Sequence, residues 1–199
     1  VVLIYSQYID GGLVPMALAL EEMGFRRAGK MNSLFKEAPT DPIDALTMKP
    51  KNELLDQSKF SSAKYTMITG KDSLSPYKNK DIKDLIQPEN VNGEKIKVIL
   101  ISQAGSEGID FKFIRQVHVM DPWYNMNRIE QIIGRAVRTC SHKMLPLSER
   151  NVEIYLHGTV LNDKSEEETA DVYMYRRAEM KAIQIGNISR ILKESSIDC

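Results

Sequence analysis

The sequence predicts an α/β domain with a mostly parallel sheet covered by helices on both faces, and three observations carry that expectation. Five short runs, residues 1–6, 65–69, 97–102, 115–121 and 152–156, are largely apolar without clean alternation, the pattern of strands buried on both faces. Helical stretches lie between several of them, so that strand and helix alternate along the chain. With 199 residues, 42% hydrophobic and 27% charged, the chain can bury one core and carry a small appendage.

Taken in order, VVLIYS at 1–6 reads as the first strand, and Asp10, Gly11 and Gly12 as the turn after it. LVPMALALEEMG comes next as a helix, with Pro15 tolerated in its first turn and Gly24 placed to end it. Residues 26–64 are basic at Arg26, Arg27 and Lys30 and are then broken by Pro39, Pro42 and Pro50. They read as an inserted, partly mobile segment with a short helix near 52–57, a surface loop in preference to a binding element. YTMIT at 65–69 is the second strand, KDIKDLIQ at 80–87 a short helix, and Asn92-Gly93 a turn. KVILIS at 97–102 and RQVHVMD at 115–121 are the third and fourth strands. A helix over 128–138 comes next, with Asn127 and Glu130 spaced as a capping box in which Asn stands for Ser or Thr. VEIYL at 152–156 is the fifth strand. Beyond it, Glu166, Glu167 and Glu168 favour a helix N-terminus. Val172, Tyr175, Ile185, Ile188 and Leu192 then recur at helical spacing, which predicts one or two helices packed on the domain edge rather than a partner-binding helix.

Composition removes several function classes. Lys plus Arg and Asp plus Glu both number 27, so any polyanion binding must come from local placement rather than net charge. Cys140 and Cys199 are too few and too far apart for a disulfide-stapled domain, which favours a reducing intracellular compartment. No apolar run is long enough to cross a bilayer, so no membrane partner is expected. His118, His142 and His157 are scattered, and Cys140 with His142 offers two ligands where zinc wants three or four, so no metal site is expected from this chain. Trp123 and Tyr124 are expected to pack under the following helix rather than stack on a base.

Two stretches can carry chemistry. In RIEQIIGRAVR, 128–138, Gln131, Arg135 and Arg138 fall within roughly 60° of one another on a helical wheel. Ile129, Ile132, Ile133, Ala136 and Val137 take the other side, and Gly134 borders the polar face as though something must approach the backbone there. The loop SQAGSEGID, 102–110, leaves the third strand at the carboxyl edge of the sheet, where α/β domains bind ligands. There Gly105 and Gly108 allow close approach, Ser102 offers a hydroxyl, and Asp110 offers a carboxylate suited to a ribose hydroxyl. Alone, the helix is an ordinary amphipathic helix and the loop an ordinary turn.

In combination they resemble the C-terminal RecA-like domain of superfamily 2 helicases and translocases, over about residues 1–160 and most specifically over 98–138. VVLIYS and its helix are similar to the family's fourth motif, KVILISQAGSEGIDF to its fifth, and QIIGRAVR to its sixth. RQVHVMDPWYNMNRIEQIIGRAVR looks closest to the helicase-like ATPases of large cytoplasmic DNA viruses, with chromatin-remodelling translocases next. The resemblance implies a three-layer RecA-like domain over 1–160, with an insertion near 26–64, and a C-terminal helical extension over 161–199. It implies that Arg135 and Arg138 reach the γ-phosphate of ATP, that Gln131 helps orient the nucleotide or couples it to the partner domain, that Gly108 and Asp110 border the ribose, and that Ser102 contacts a nucleic-acid phosphate. No G-x-x-x-x-G-K-[ST] loop and no Asp-Glu box occur in the sequence. ATP and Mg²⁺ are therefore expected to be held with an N-terminal RecA-like domain of the same parent polypeptide, and the 199 residues alone are expected to be inactive. Nucleic acid, DNA foremost, and transcription machinery are the expected partners. The expected setting is intracellular, for a viral source the host cytoplasm at the viral factory and the virion. A non-catalytic helicase-like binding module in a viral transcription complex is the alternative, and a nucleotide- or flavin-binding domain of another kind would leave the paired arginines unexplained.

Overall fold

The computed structural model describes residues 1–29, 33–106, 108–161 and 167–197; Lys30, Glu107, Glu166 and Cys199 lie outside these. Six strands form one sheet: β1 (Val2–Tyr5), β2 (Arg26–Arg27), β3 (Lys64–Ile68), β4 (Val98–Ile101), β5 (Gln116–Val119) and β6 (Glu153–Leu156). Their order is β2-β3-β4-β1-β5-β6, and every neighbouring pair is parallel. The helices are α1 (Val14–Glu22), α2 (Lys78–Leu85), α3 (Gln103–Ser106), α4 (Met126–Ala136) and α5 (Ala170–Glu194). Among the described residues no helix is long and apolar enough to cross a membrane.

The non-alternating runs of β1, β3 and β4 are explained by two cores, one on each face of the sheet. β5 instead alternates buried Val117 and Val119 with half-buried Gln116 and His118, and β6, the edge strand, is exposed throughout, so the burial on both faces expected for 115–121 and 152–156 fails there. Leu3, Tyr5, Ile99, Ile101, Val117 and Val119 pack with Leu85 of α2, Ile129, Ile132 and Ala136 of α4, and Phe111 and Phe113 of the intervening loop. Their strand neighbours Ile4, Tyr65, Met67, Val98 and Leu100 pack with Leu13, and with Ala17 and Leu20 of α1. Each fully buried Leu or Ile here contributes about 1.5–3 kcal/mol of apolar transfer. α1 stops where expected: Gly24 holds φ +92, and a Cβ there would stand 2.6 Å from the Asp41 carbonyl oxygen.

Four further expectations are corrected. Arg26-Arg27 is a sheet strand, because its backbone pairs with Lys64 and Tyr65 of β3 whatever its side chains suggest. The helix near 52–57 is replaced by two single 3₁₀ turns, Lys51–Glu53 and Gln57–Lys59. No capping box forms on Asn127: α4 already includes that residue, and begins after an extended Asn125 whose side chain makes no cap. At the C-terminus a single long helix packs only by its first half, through buried Ala178 and through the Tyr175 hydroxyl, which donates to the His157 carbonyl oxygen at 2.9 Å. Ile185, Ile188 and Leu192 stay 53%, 60% and 66% exposed, so the packing role expected for them fails.

Two buried carboxylates tie the proline-broken stretch to the domain. Glu21 of α1 accepts from the Leu34 and Phe35 amides, from the Ser33 hydroxyl, and from the Tyr65 hydroxyl of β3 at 2.6 Å. Burial would raise its pKa, but these hydrogen bonds together hold it below the usual carboxylate range. Asp44, 4% exposed, accepts from the Ser61, Thr47 and Leu46 amides and the Thr47 hydroxyl. Burial again pushes upward, and the hydrogen bonds outweigh it and bring Asp44 down to about 2.

Because Asp44 binds its proton less readily folded than unfolded, its stabilising contribution is complete above about pH 4 and is lost as pH falls toward 2. Asp44→Asn should cost about 1–3 kcal/mol at neutral pH, since an amide nitrogen would face backbone N–H donors. In thermal melts the gap between the two proteins should close as the pH falls through that window. A gap that persists unchanged to about pH 2 would contradict this account.

Candidate functional site

The carboxyl ends of β1, β4 and β5 bring three polar residues to one edge, as an open parallel sheet does. Ser6 and Ser102 are buried there, and Asp121 lies just past β5. Asp121 accepts from the Ser6 hydroxyl at 2.7 Å and from the Gln7 amide at 2.8 Å, and so ties the end of β1 to the end of β5. The sequence marked Asp121 only as an acidic residue at a strand end; this knot depends on strand neighbours 115 positions apart.

From that edge, α4 and the loop ending at Asp110 run side by side. α4 presses Ile129, Ile132 and Ala136 into the core, which turns Gln131 outward and leaves Arg135 half-buried. The helix ends at Ala136, two residues short of Arg138, with Val137 at φ −100 and ψ 80. Arg138 is therefore not on the helical face that the wheel gave it. Its side chain nevertheless turns back: Nε donates to the Gly134 carbonyl oxygen at 3.3 Å, and Nη1 lies 2.8 Å from Asp110 Oδ1. Arg135 Nη1 donates to the Ile109 carbonyl oxygen at 3.3 Å.

Thus Arg135, Arg138, Gly134 and the 108–110 loop form one cluster. Gly108 is exposed at φ +71, a left-handed conformation that a side-chain-bearing residue would adopt only with strain. Ile109 anchors the loop at 7% exposure, while Asp110 points outward. Among the described residues nothing lies within 4 Å of where a Cβ on Gly134 would stand, so that side of the helix is open; the approach to the Gly134 backbone comes from Arg138, at its carbonyl oxygen. Ser102 joins the same edge but is 3% exposed, with its amide donating to the Ile68 carbonyl oxygen. Two planar cations that donate, and an outward carboxylate that accepts, beside an open helix surface, are suited to a nucleotide's phosphates and its ribose hydroxyls respectively.

Three other groupings meet in space. The Arg128 guanidinium sits 3.9 Å from the Trp123 ring centroid, so Trp123 packs against α4 as expected, whereas Tyr124 is 55% exposed. His118 Nδ1 and His157 Nε2 are 3.0 Å apart, with Tyr155 stacked on His118; scatter along the sequence did not mean scatter in space. Burial, and then His157, lower the pKa of His118. His142 is separate, buried between the Ser141 hydroxyl and the Ile114 carbonyl oxygen. Among the described residues no three His, Cys, Asp or Glu side chains gather closely enough to hold a metal ion.

The family described as the helicase conserved C-terminal domain matches residues 30–140, more than half of the chain and both halves of this cluster. The termination factor NPH-I homolog of African swine fever virus, isolate Tick/Malawi, is 32% identical over all of this chain and 30% of its own length. A putative ATP-dependent RNA helicase, R350, of Acanthamoeba polyphaga mimivirus is 33% identical over 93% of this chain and 23% of its own length. The chain thus spans under a third of these curated relatives. In the solved structure of the C-terminal part of the Fun30 ATPase domain, a region aligns with 89% of this chain at a TM-score of 0.53 and 14% identity, covering 38% of that chain, which establishes the shared fold. The chain belongs to the helicase conserved C-terminal domain family, as a C-terminal RecA-like domain of superfamily 2 similar to those of large DNA viruses.

Proposed function

We propose that this domain is the second motor lobe of an ATP-dependent helicase or translocase acting on DNA, and that it completes an ATP site begun by an N-terminal RecA-like lobe of the same polypeptide. The observation that carries this reading is the convergence of Arg135 and Arg138 with the 108–110 loop on one open edge, in a sequence with no phosphate loop or Asp-Glu box of its own. ATP supplies the phosphoryl group when bound, and Mg²⁺ would be held by the other lobe. Residues of this chain do the rest. Arg135 and Arg138 place permanently charged, planar donors where negative charge develops on the γ-phosphate. Gln131, exposed one turn before Arg135, orients the nucleotide, and Gly108 and Asp110 border the ribose.

Closure of the two lobes brings the guanidiniums to the nucleotide, and hydrolysis lets them part, so that backbone contacts advance along one strand. Ser102 is proposed to contribute such a contact; because its side chain is buried, the exposed residues 103–104 beside it must shift for a phosphate to reach it. Contacts of this kind go to phosphates and carry no base preference. By likeness to the African swine fever virus relatives, which are named as termination factors, the proposed setting is viral transcription in the host cytoplasm, at the viral factory and in the virion. Residues 161–199 are proposed as a helical extension to the 1–160 domain.

In the two-lobe polypeptide, Arg138→Ala should lower DNA-stimulated ATPase by about 10³-fold or more while DNA binding, followed by gel shift, stays within a few-fold. Wild-type turnover in that variant would refute the role. The 199-residue chain by itself should show no ATP hydrolysis above background in a phosphate-release assay with DNA present, and robust turnover would remove the need for a second lobe.

A further inference from the structure

The geometry points to a second role for Asp110: it is the resting partner of Arg138, and the γ-phosphate must displace it before the arginine can act. This rests on the reading of Arg138 as an arginine that engages ATP. In this structure two of the three guanidinium nitrogens of Arg138 are already taken, Nη1 by Asp110 Oδ1 at 2.8 Å and Nε by the Gly134 carbonyl oxygen at 3.3 Å. Arg138 cannot both keep these partners and reach a phosphate across a cleft.

Three features suit the pair to exchange. Arg138 lies beyond the end of α4, after a non-helical Val137, so it can swing without unwinding the helix. The side chains of Arg138 and Asp110 are 46% and 60% exposed, so water screens their attraction and little is lost when it breaks. A terminal phosphate offers a guanidinium more charge and paired acceptors than one carboxylate oxygen does. Arg135 differs, since it rests on the neutral Ile109 carbonyl and has no opposite charge to leave behind.

The exchange also couples the two ends of the nucleotide. When Arg138 moves to the γ-phosphate, the Asp110 carboxylate is released toward the ribose hydroxyls. A nucleoside diphosphate lacks the displacing group and leaves the pair closed. Asp110 is in this sense a positioning residue that sets when Arg138 becomes available.

The test compares kcat/KM of the two-lobe polypeptide for ATP and for 2′,3′-dideoxy-ATP, which keeps all three phosphates and lacks both ribose hydroxyls. Asp110→Asn should raise kcat/KM for dideoxy-ATP about two- to fivefold, the worth of one exposed ion pair, and lower it for ATP through the lost ribose contact. The rise should vanish in an Arg138→Ala background. A fall, or no change, for dideoxy-ATP in Asp110→Asn overturns the exchange. Full ATPase activity in Arg138→Ala alone would instead overturn the reading on which the exchange rests.

Discussion

Burial of the central strands on both faces is the constraint on which the rest of the structure depends. Leu3 and Tyr5 fill one core while Ile4 fills the other, and Ile99 and Ile101 oppose Val98 and Leu100 in the same way. Strands so enclosed have no polar face to offer, and the polar groups they position stand where they end. Ser6, Ser102 and Asp121 stand at those ends; the 108–110 loop lies between β4 and β5, and α4 leads away from β5. The apolar half of α4 is part of the core, and this is why its other half can hold Gln131 and Arg135 outward at fixed spacing.

The cluster built there is chemically one-sided. It has guanidiniums, an open helix surface at Gly134 and a carboxylate, but no cradle for a triphosphate. Its arginines satisfy themselves on the Ile109 carbonyl and on Asp110. On the proposed reading, these arginines trade their internal partners for a phosphate when the other half of the site arrives. That reading asks for movement only of side chains at and beyond the end of α4.

What the sequence made legible, and what it did not, obeys the same physics. Strands β1, β3 and β4 were readable because burial on both faces forces apolar runs, β5 because Val117 and Val119 alternate with half-buried Gln116 and His118, and α1 because Pro15 and Gly24 bracket it. Arg26-Arg27 was unreadable because two charged residues become a strand only by pairing with β3. The boundaries of α4 moved because Asn125 and Asn127 are equally plausible caps by composition, and the earlier start and stop carried the helix end away from Arg138. The residues of the cluster were legible as a motif, but the Arg138–Asp110 pair was not, since the two positions stand on separate elements. The same holds for His118 with His157, and for Glu21 and Asp44, whose partners lie in a stretch without periodicity. Packing of α5 was overread: helical spacing of Ile185, Ile188 and Leu192 defines a stripe without saying what covers it.

The central claim is that Arg135 and Arg138 leave their resting partners, the Ile109 carbonyl and Asp110, to complete an ATP site with another lobe of the same polypeptide. It is tested most directly by a structure of the two-lobe polypeptide with a transition-state analogue of ATP hydrolysis. The account predicts both guanidiniums within about 3 Å of the oxygens or fluorides at the γ-position, with the Arg138–Asp110 pair broken. A structure in which the analogue is bound while Arg138 stays on Asp110 and Arg135 on Ile109 would contradict it.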